Sequence, residues 1–268
     1  MTQEPYTGRA TTFDTAAELY EQARPGYPPA VFADLAAALD RGAEPVRVLE
    51  IGAGTGQATR GLLDRGWHVV ALEPGARLAA VARRVLAGRG DVEVVEQPFE
   101  RWLPRDDRRF DLVLAATSWH WVDPQVGYRR AAELLRPEGH LAVVATEHVL
   151  PPDGDDFFRQ VEAAYDEVGL GDGQGGPAHP DTIEPPDVAA LRASGYFGEP
   201  AVRRYLWALD YTADAYVALL STYSNHIAAT PEQRETLFAA VRDLIGRRPS
   251  GTVRKHYLTL VQDARVAG

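Results

Sequence analysis

The stretch Val46 to Gly56, VRVLEIGAGTG, decides the fold. Val46, Val48, Leu49 and Ile51 are β-branched or apolar at a density that suits a buried strand. Gly52, Gly54 and Gly56 follow at the spacing Gly-x-Gly-x-Gly. With no Cβ they adopt positive φ readily and let a ligand lie against the peptide groups. Gln57 to Arg65 then reads as a helix ending at Gly66, its N-terminal N–H groups aimed at the turn. A nucleotide-like ligand is the natural occupant of such a turn.

The spacing separates the possible nucleotides. A dinucleotide fingerprint is Gly-x-Gly-x-x-Gly; here Gln57 stands where its third glycine belongs, and Gly56 comes one residue early. A pyrophosphate on the helix N-terminus is therefore a poor fit. The next strand, Trp67 to Leu72, ends in Glu73, 21 residues after Gly52. An acid at that strand tip can accept hydrogen bonds from both ribose hydroxyls; the alternative is that Glu73 caps the helix after Pro74. Ribose without pyrophosphate points to S-adenosylmethionine rather than NAD.

Strands and helices alternate outward from this turn. Helical segments run from Thr15 to Arg24 and from Pro28 to Leu39, separated by the breaker RPGYPP. After the strand Val46–Ile51 and the helix Gln57–Arg65 come the strand His68–Leu72, the helix Arg77–Leu86 and the strand Val92–Glu96. The strand Leu112–Ala115, the helix Gln125–Leu135, a turn at Pro137 to Gly139 and the strand His140–Ala145 complete the series. This rhythm predicts a Rossmann-like α/β fold with a mostly parallel sheet, helices on both faces, and ligands at the carboxyl ends of the strands. After Leu150 the pattern changes to a helix over Asp156–Val168, the glycine-rich loop GLGDGQGGPAHP, and strands Val202–Leu209 and Thr252–Leu260 flanking a helical insertion from Ala213 to Ile245. The acidic run Asp153 to Asp156 suits a helix N-terminus and calls for no metal.

Composition narrows the function. With no cysteine, disulfides and thiolate metal sites are excluded. No apolar run reaches the roughly 18 to 20 residues of a membrane span, and MTQEPYTGRA lacks a signal-peptide core. These features lead us to expect a cytoplasmic protein with no membrane partner. The net charge is −10 and the arginines are scattered, which argues against nucleic acid as a partner. Lys255 is the only lysine, and its isolation reads as a property of composition.

Six segments in order carry a family resemblance: FDTAAELYEQARPGYP (Phe13 to Pro28), LEIGAGTGQAT, Glu73, PFERW (Pro98 to Trp102), FDLVLAATSWHWVDP (Phe110 to Pro124) and LLRPEGHLAVV (Leu134 to Val144). The chain resembles a class I S-adenosylmethionine-dependent methyltransferase of the trans-aconitate-type, small-molecule group. The resemblance implies seven strands with the last antiparallel, and a helical lid inserted before it. It divides the chain into a lid segment at 1–40, a cofactor-binding core at 41–150, and a cap with the last two strands at 151–268. The cofactor contacts it implies are Gly52, Ala53, Gly54 and Gln57 at the turn, Glu73 and Pro74, Pro98 and Phe99 at the adenine, and Thr117, Tyr20 and Arg24. Many relatives carry an aspartate at the Pro98 position, so the adenine contact there must be backbone or apolar.

Methyl transfer from a sulfonium is an in-line displacement that demands alignment and a site with little water. A protonated nucleophile also needs a base, whereas a carboxylate does not. His120, between Trp119 and Trp121 after the fourth strand, is the candidate base or substrate contact; the alternative is a histidine that fixes the loop. Trp119, Glu147 and His148 are candidate pocket residues. So are Tyr223 and His226, three apart on one helix face, against the alternative of a solvated face. The expected activity is methyl transfer to a small molecule, at a carboxylate or hydroxyl oxygen, in secondary metabolism. The alternatives are a methyltransferase fold that binds the cofactor without transfer, and an NAD-linked enzyme.

Overall fold

The computed structural model describes residues 17–39, 44–105, 107, 109–171, 173 and 175–267. The predicted helix start at Thr15 and the boundary at 40/41 lie outside the described residues. Two helices, α1 (Ala17–Ala23) and α2 (Pro29–Leu39), precede β1 (Arg47–Ile51), α3 (Gln57–Leu63), β2 (His68–Leu72), α4 (Ala76–Leu86) and β3 (Val92–Val95). Then follow β4 (Phe110–Ala116), a one-turn 3₁₀ helix (Trp119–Trp121), α5 (Gly127–Leu134) and β5 (Leu135–Val149). The remainder is α6 (Phe157–Gln160), α7 (Glu162–Glu167), α8 (Val188–Ser194), β6 (Ala201–Thr212), α9 (Ala213–Leu220), α10 (Ser224–Ala228), α11 (Pro231–Gly246) and β7 (Thr252–Arg265). No described helix is long and apolar enough to cross a membrane.

The seven strands lie in the order β3-β2-β1-β4-β5-β7-β6, parallel except that β7 runs antiparallel to both β5 and β6. Strand order reverses at β1, whose neighbours are β2 and β4, and a crevice opens there at the carboxyl ends. Both faces of the sheet are covered. Val48, Leu112, Leu114 and Val144 pack with Phe32, Leu35 and Leu62 on one side, and Leu49, Ile51, Val113 and Leu141 with Trp119, Tyr128 and Leu191 on the other. Alternating side chains of one strand thus feed opposite cores, which is why β1 and β4 read as continuous apolar runs.

A third core belongs to the late segment, where Phe157, Phe158, Tyr216, Leu219, Leu237, Val241 and Ile245 close over Val253 and Tyr257 of β7. In α11, Leu237, Val241 and Ile245 recur at four-residue steps, and Thr230 with Gln233 forms a capping box at its start. Asp155 accepts from the Phe157 and Arg254 amides and pairs with Arg248 at 2.6 Å, fastening this layer to the start of β7.

Several predicted boundaries shift. The helix expected over Asp156–Val168 is two short ones, because the Ala164 amide donates to Val161 only three residues back. The turn at Pro137 to Gly139 is an irregularity inside β5, where the register shifts opposite Phe110 and Leu112 and Glu138 takes φ +66°. Strand β7 runs five residues beyond Leu260 because it has a pairing partner on both sides. Helix α8 carries only Leu191 as a fully buried residue, too weak a pattern to announce itself.

Candidate active site

The glycine turn folds as its residues require. Gly52, Gly54 and Gly56 all have positive φ, at +67°, +60° and +96°. A Cβ on Gly52 would sit 2.6 Å from Ser118 Cβ, so the loop after β4 and the turn can only meet through glycine. Ser118 Oγ donates to the Ile51 carbonyl and fixes that meeting. A Cβ on Gly54 would meet nothing closer than 3.8 Å, and Gly54 lines a cavity, so its peptide is open to a ligand.

Glu73 faces the turn from the end of β2. Its Oε2 accepts from the Gly54 amide at 2.8 Å and its Oε1 from the Gly75 amide at 2.8 Å. The carboxylate therefore braces the loop as well as lining the cavity. A carboxylate offers roughly four acceptor positions, so bracing two amides is compatible with receiving ribose hydroxyls. Beneath it Glu50 is 1% exposed, and burial pushes its carboxyl up to about 8 despite the hydrogen bond donated by Thr59 Oγ1 at 2.6 Å.

The cavity spans about 440 Å³ along the carboxyl edge of the sheet. On the β2 side of the switch point it is lined by Ala53, Gln57, Pro74 and Phe99 in addition to the residues above. Thr117, just after β4, takes φ +57°, unusual for a β-branched residue and held by a hydrogen bond between its Oγ1 and Tyr27 Oη at 2.9 Å. From α1, Tyr20 reaches the same wall, and Arg24, just beyond that helix, donates to Thr222 Oγ1 at 2.8 Å and to the Thr222 carbonyl at 3.1 Å. Its guanidinium lies 4.3 Å from the Tyr223 ring centroid and 5.1 Å from that of Tyr20. Among the described residues no carboxylate pairs with Arg24, so its charge is available to an anionic group in the cavity.

On the other side, His120 stands exposed at the mouth with its ring 4.7 Å from Trp121. Partial burial lowers its pKa and Asp187 opposes the shift. Glu147 and His148 at the end of β5 line the cavity; burial raises the first, and burial with Lys255 and His256 nearby holds the second well below the usual histidine range. Tyr223 lines it too, its hydroxyl pushed up to about 12 by burial.

Three expected contacts are not in the wall. Pro98 turns away while its neighbours Gln97 and Phe99 line the cavity. Trp119 is buried against Tyr128, ring centroids 5.0 Å apart, and Trp121 takes the exposed role between the two indoles. His226 is 2% exposed, bonded through Nε2 to Tyr165 Oη at 3.0 Å, and burial lowers it to about 4. It is a core histidine, its ring packed 5.9 Å from that of Tyr223 and 6.2 Å from that of Phe238, behind the cavity wall rather than in it.

The wall also holds residues outside the expected set, among them Tyr27, Gln97, Thr146, Tyr257 and a lysine. Lys255, on β7, is 1% exposed and lines the cavity. Its Nζ lies 5.2, 5.6 and 6.0 Å from the ring centroids of Tyr257, Phe158 and Tyr216. No carboxylate among the described residues pairs with it. A buried ammonium in that position costs several kcal/mol, more than the roughly 0.5 to 2 kcal/mol an aromatic face returns. Burial, with the nearby Arg24 charge, accordingly holds Lys255 well below the usual lysine range. The signal in the sequence was its place on the apolar face of VRKHYLTL, in step with Val253 and Tyr257.

Residues 49–143 match the family model of a methyltransferase domain. An uncharacterized methyltransferase of Mycobacterium tuberculosis is 39% identical over 137 residues, covering 50% of this chain and 51% of that protein. A demethylmenaquinone methyltransferase of Clavibacter sepedonicus is 36% identical over 107 residues, 40% of this chain and 42% of that one. The chain spans about half the length of these curated relatives. A solved structure from Anaeromyxobacter dehalogenans, described as a type II methyltransferase, shares the fold with a TM-score of 0.61 at 21% identity, over 90% of this chain and 97% of that one.

Proposed function

Because residues 49–143 match the family model of a methyltransferase domain, we propose that the chain is a class I S-adenosylmethionine-dependent methyltransferase that transfers a methyl group to an oxygen of a small molecule. The observation that carries this reading is the pairing of Glu73 with the open Gly54 turn at one end of a cavity that continues past the switch point to β5 and β7. One end suits a nucleoside, and the other leaves room for a second, smaller molecule.

In this reading the cofactor supplies an activated methyl on a sulfonium. Glu73 holds the ribose, Phe99 flanks the adenine, and Arg24 with Tyr20 receives the amino-acid end. Thr117 sets the floor between the two ends. His120 is a hydrogen-bond partner of the acceptor at the mouth, since its exposure suits contact better than proton abstraction in a dry site. The lid at 1–40, the core at 41–150 and the cap at 151–268 divide this labour between them, with Arg24 and Thr222 joining lid to cap. The cavity volume and the net charge of −10 favour a small molecule over nucleic acid.

Calorimetry with S-adenosylhomocysteine tests the cofactor end, and release of that product during turnover tests transfer. Binding without release would favour a protein that uses the fold without moving methyl. His120→Ala should raise the acceptor KM roughly three- to tenfold, the worth of one hydrogen bond, with cofactor affinity unchanged.

A further inference from the structure

The chain's single lysine stands in the acceptor half of the cavity with nothing among the described residues to hold an ammonium there. The groups that face it are known from every side. Phe158 and Tyr216 come from the late helices and Tyr257 from its own strand. Arg24, the charged neighbour, is itself a cation, and His148 on β5 and His256 beside it are bases. His148 Nε2 and His256 Nδ1 are both buried without a hydrogen-bond partner among the described residues, so no acidic side chain is engaged with either atom. A neutral amine at a cavity wall presents a lone pair to whatever lies beside it.

We propose that Lys255 takes the proton of a phenolic hydroxyl on the acceptor as that oxygen is methylated, a role that rests on the methyl-transfer reading. The O–H bond breaks and the proton passes to the Nζ lone pair. The oxygen forms its bond to the methyl carbon, and the carbon–sulfur bond breaks with its electron pair left on sulfur. Positive charge is lost at sulfur as it appears on Nζ, so the site's net charge is constant through the step. The Phe158, Tyr216 and Tyr257 rings then face the new ammonium. A carboxylate acceptor is already ionised at neutral pH and gives the amine no proton to take. An aliphatic alcohol is too weak an acid for an amine of depressed basicity. A phenol, with a pKa near about 10, is the better match, and the Trp121, Tyr223 and Tyr257 rings in the wall suit a planar acceptor.

Lysine labelled with ¹³C at Cε gives one side-chain resonance from this chain, so its titration can be followed directly in the intact protein. A neutral-amine signal at pH 8, titrating well below the ordinary lysine range, supports the proposal; a midpoint above about 10 overturns it. In parallel, phenol and 4-nitrophenol serve as acceptors at pH 8, where the second is largely ionised. Lys255→Met should lower kcat for phenol about 10²- to 10⁴-fold and leave 4-nitrophenol turnover and S-adenosylhomocysteine affinity within about threefold. Equal losses on both phenols overturn the role, as does a phenol rate restored by Lys255→Arg, which cannot accept a proton. Failure of the wild type to methylate either phenol while binding S-adenosylhomocysteine overturns the acceptor class and leaves methyl transfer standing. Absence of that binding removes both. If Lys255→Met does not fold, the wild-type titration decides alone.

Discussion

The two ends of the cavity are built on different principles. At the β1–β2 end the ligand-facing groups are backbone amides and one carboxylate, all within the 24 positions from Gly52 to Gly75. At the β5–β7 end they are side chains brought from His120, His148, Tyr223 and Lys255, spread over about half of the chain. A site made of backbone changes little with substitution elsewhere, whereas a site made of distant side chains can be reshaped one residue at a time. That contrast suits one invariant ligand and one variable ligand.

The contrast can be broken most forcefully beneath the glycine turn. Glu50 is buried with its carboxyl raised from 4.5 to about 8, so the folded state holds a proton that the unfolded state releases between those values. Stability from this group is fully present below pH 4.5 and is lost as pH rises to about 8. The loss is on the order of 5 kcal/mol. Glu50→Gln should flatten that part of the profile in denaturant titrations, and parallel profiles for both proteins would refute a neutral buried Glu50.

Glu73→Ala should follow in size. It removes the ribose acceptor and two amide partners together, costing about 3 kcal/mol of S-adenosylhomocysteine affinity, roughly a hundredfold. Calorimetry showing less than a tenfold change would mean that Glu73 only braces the loop. Gly52→Ala adds a methyl against Ser118 at a positive φ and should cost about 2 kcal/mol of stability, read as a lowered denaturant midpoint. An unchanged midpoint would show that the turn can yield.

The smallest effect probes the seam between the ends. Thr222→Val removes the hydroxyl that orients Arg24 and should weaken cofactor binding by about 1 kcal/mol, near fivefold. If acceptor KM changes instead, Arg24 serves the variable end.

The same contrast explains what could be read from the sequence. Strand β1, its glycines and Glu73 are legible because a local backbone requirement leaves few residue choices. The acceptor end is not, since nothing local distinguishes Trp119, buried on Tyr128, from Trp121, which lines the cavity. His226 looked like a pocket residue by helical spacing, and its ring does meet that of Tyr223, yet it is buried with Nε2 turned to Tyr165, which spacing alone does not announce. Lys255 was visible as an oddity on an apolar strand face, but its meaning required α9 and α1 to be folded against it.

The position of β7 between β5 and β6 bears on how the molecule assembles. Its pairs with β5 join residues more than 100 apart, such as Val149 with His256, whereas the β1–β2 pairs lie 21 apart. Contacts across long separations form late, because the chain entropy of closing the loop must be spent before pairing returns anything. During synthesis the nucleoside end has all its residues by Val144, while the acceptor end waits for the closing strand. A nascent chain can therefore form the glycine-turn end of the cavity well before the end that β7 completes.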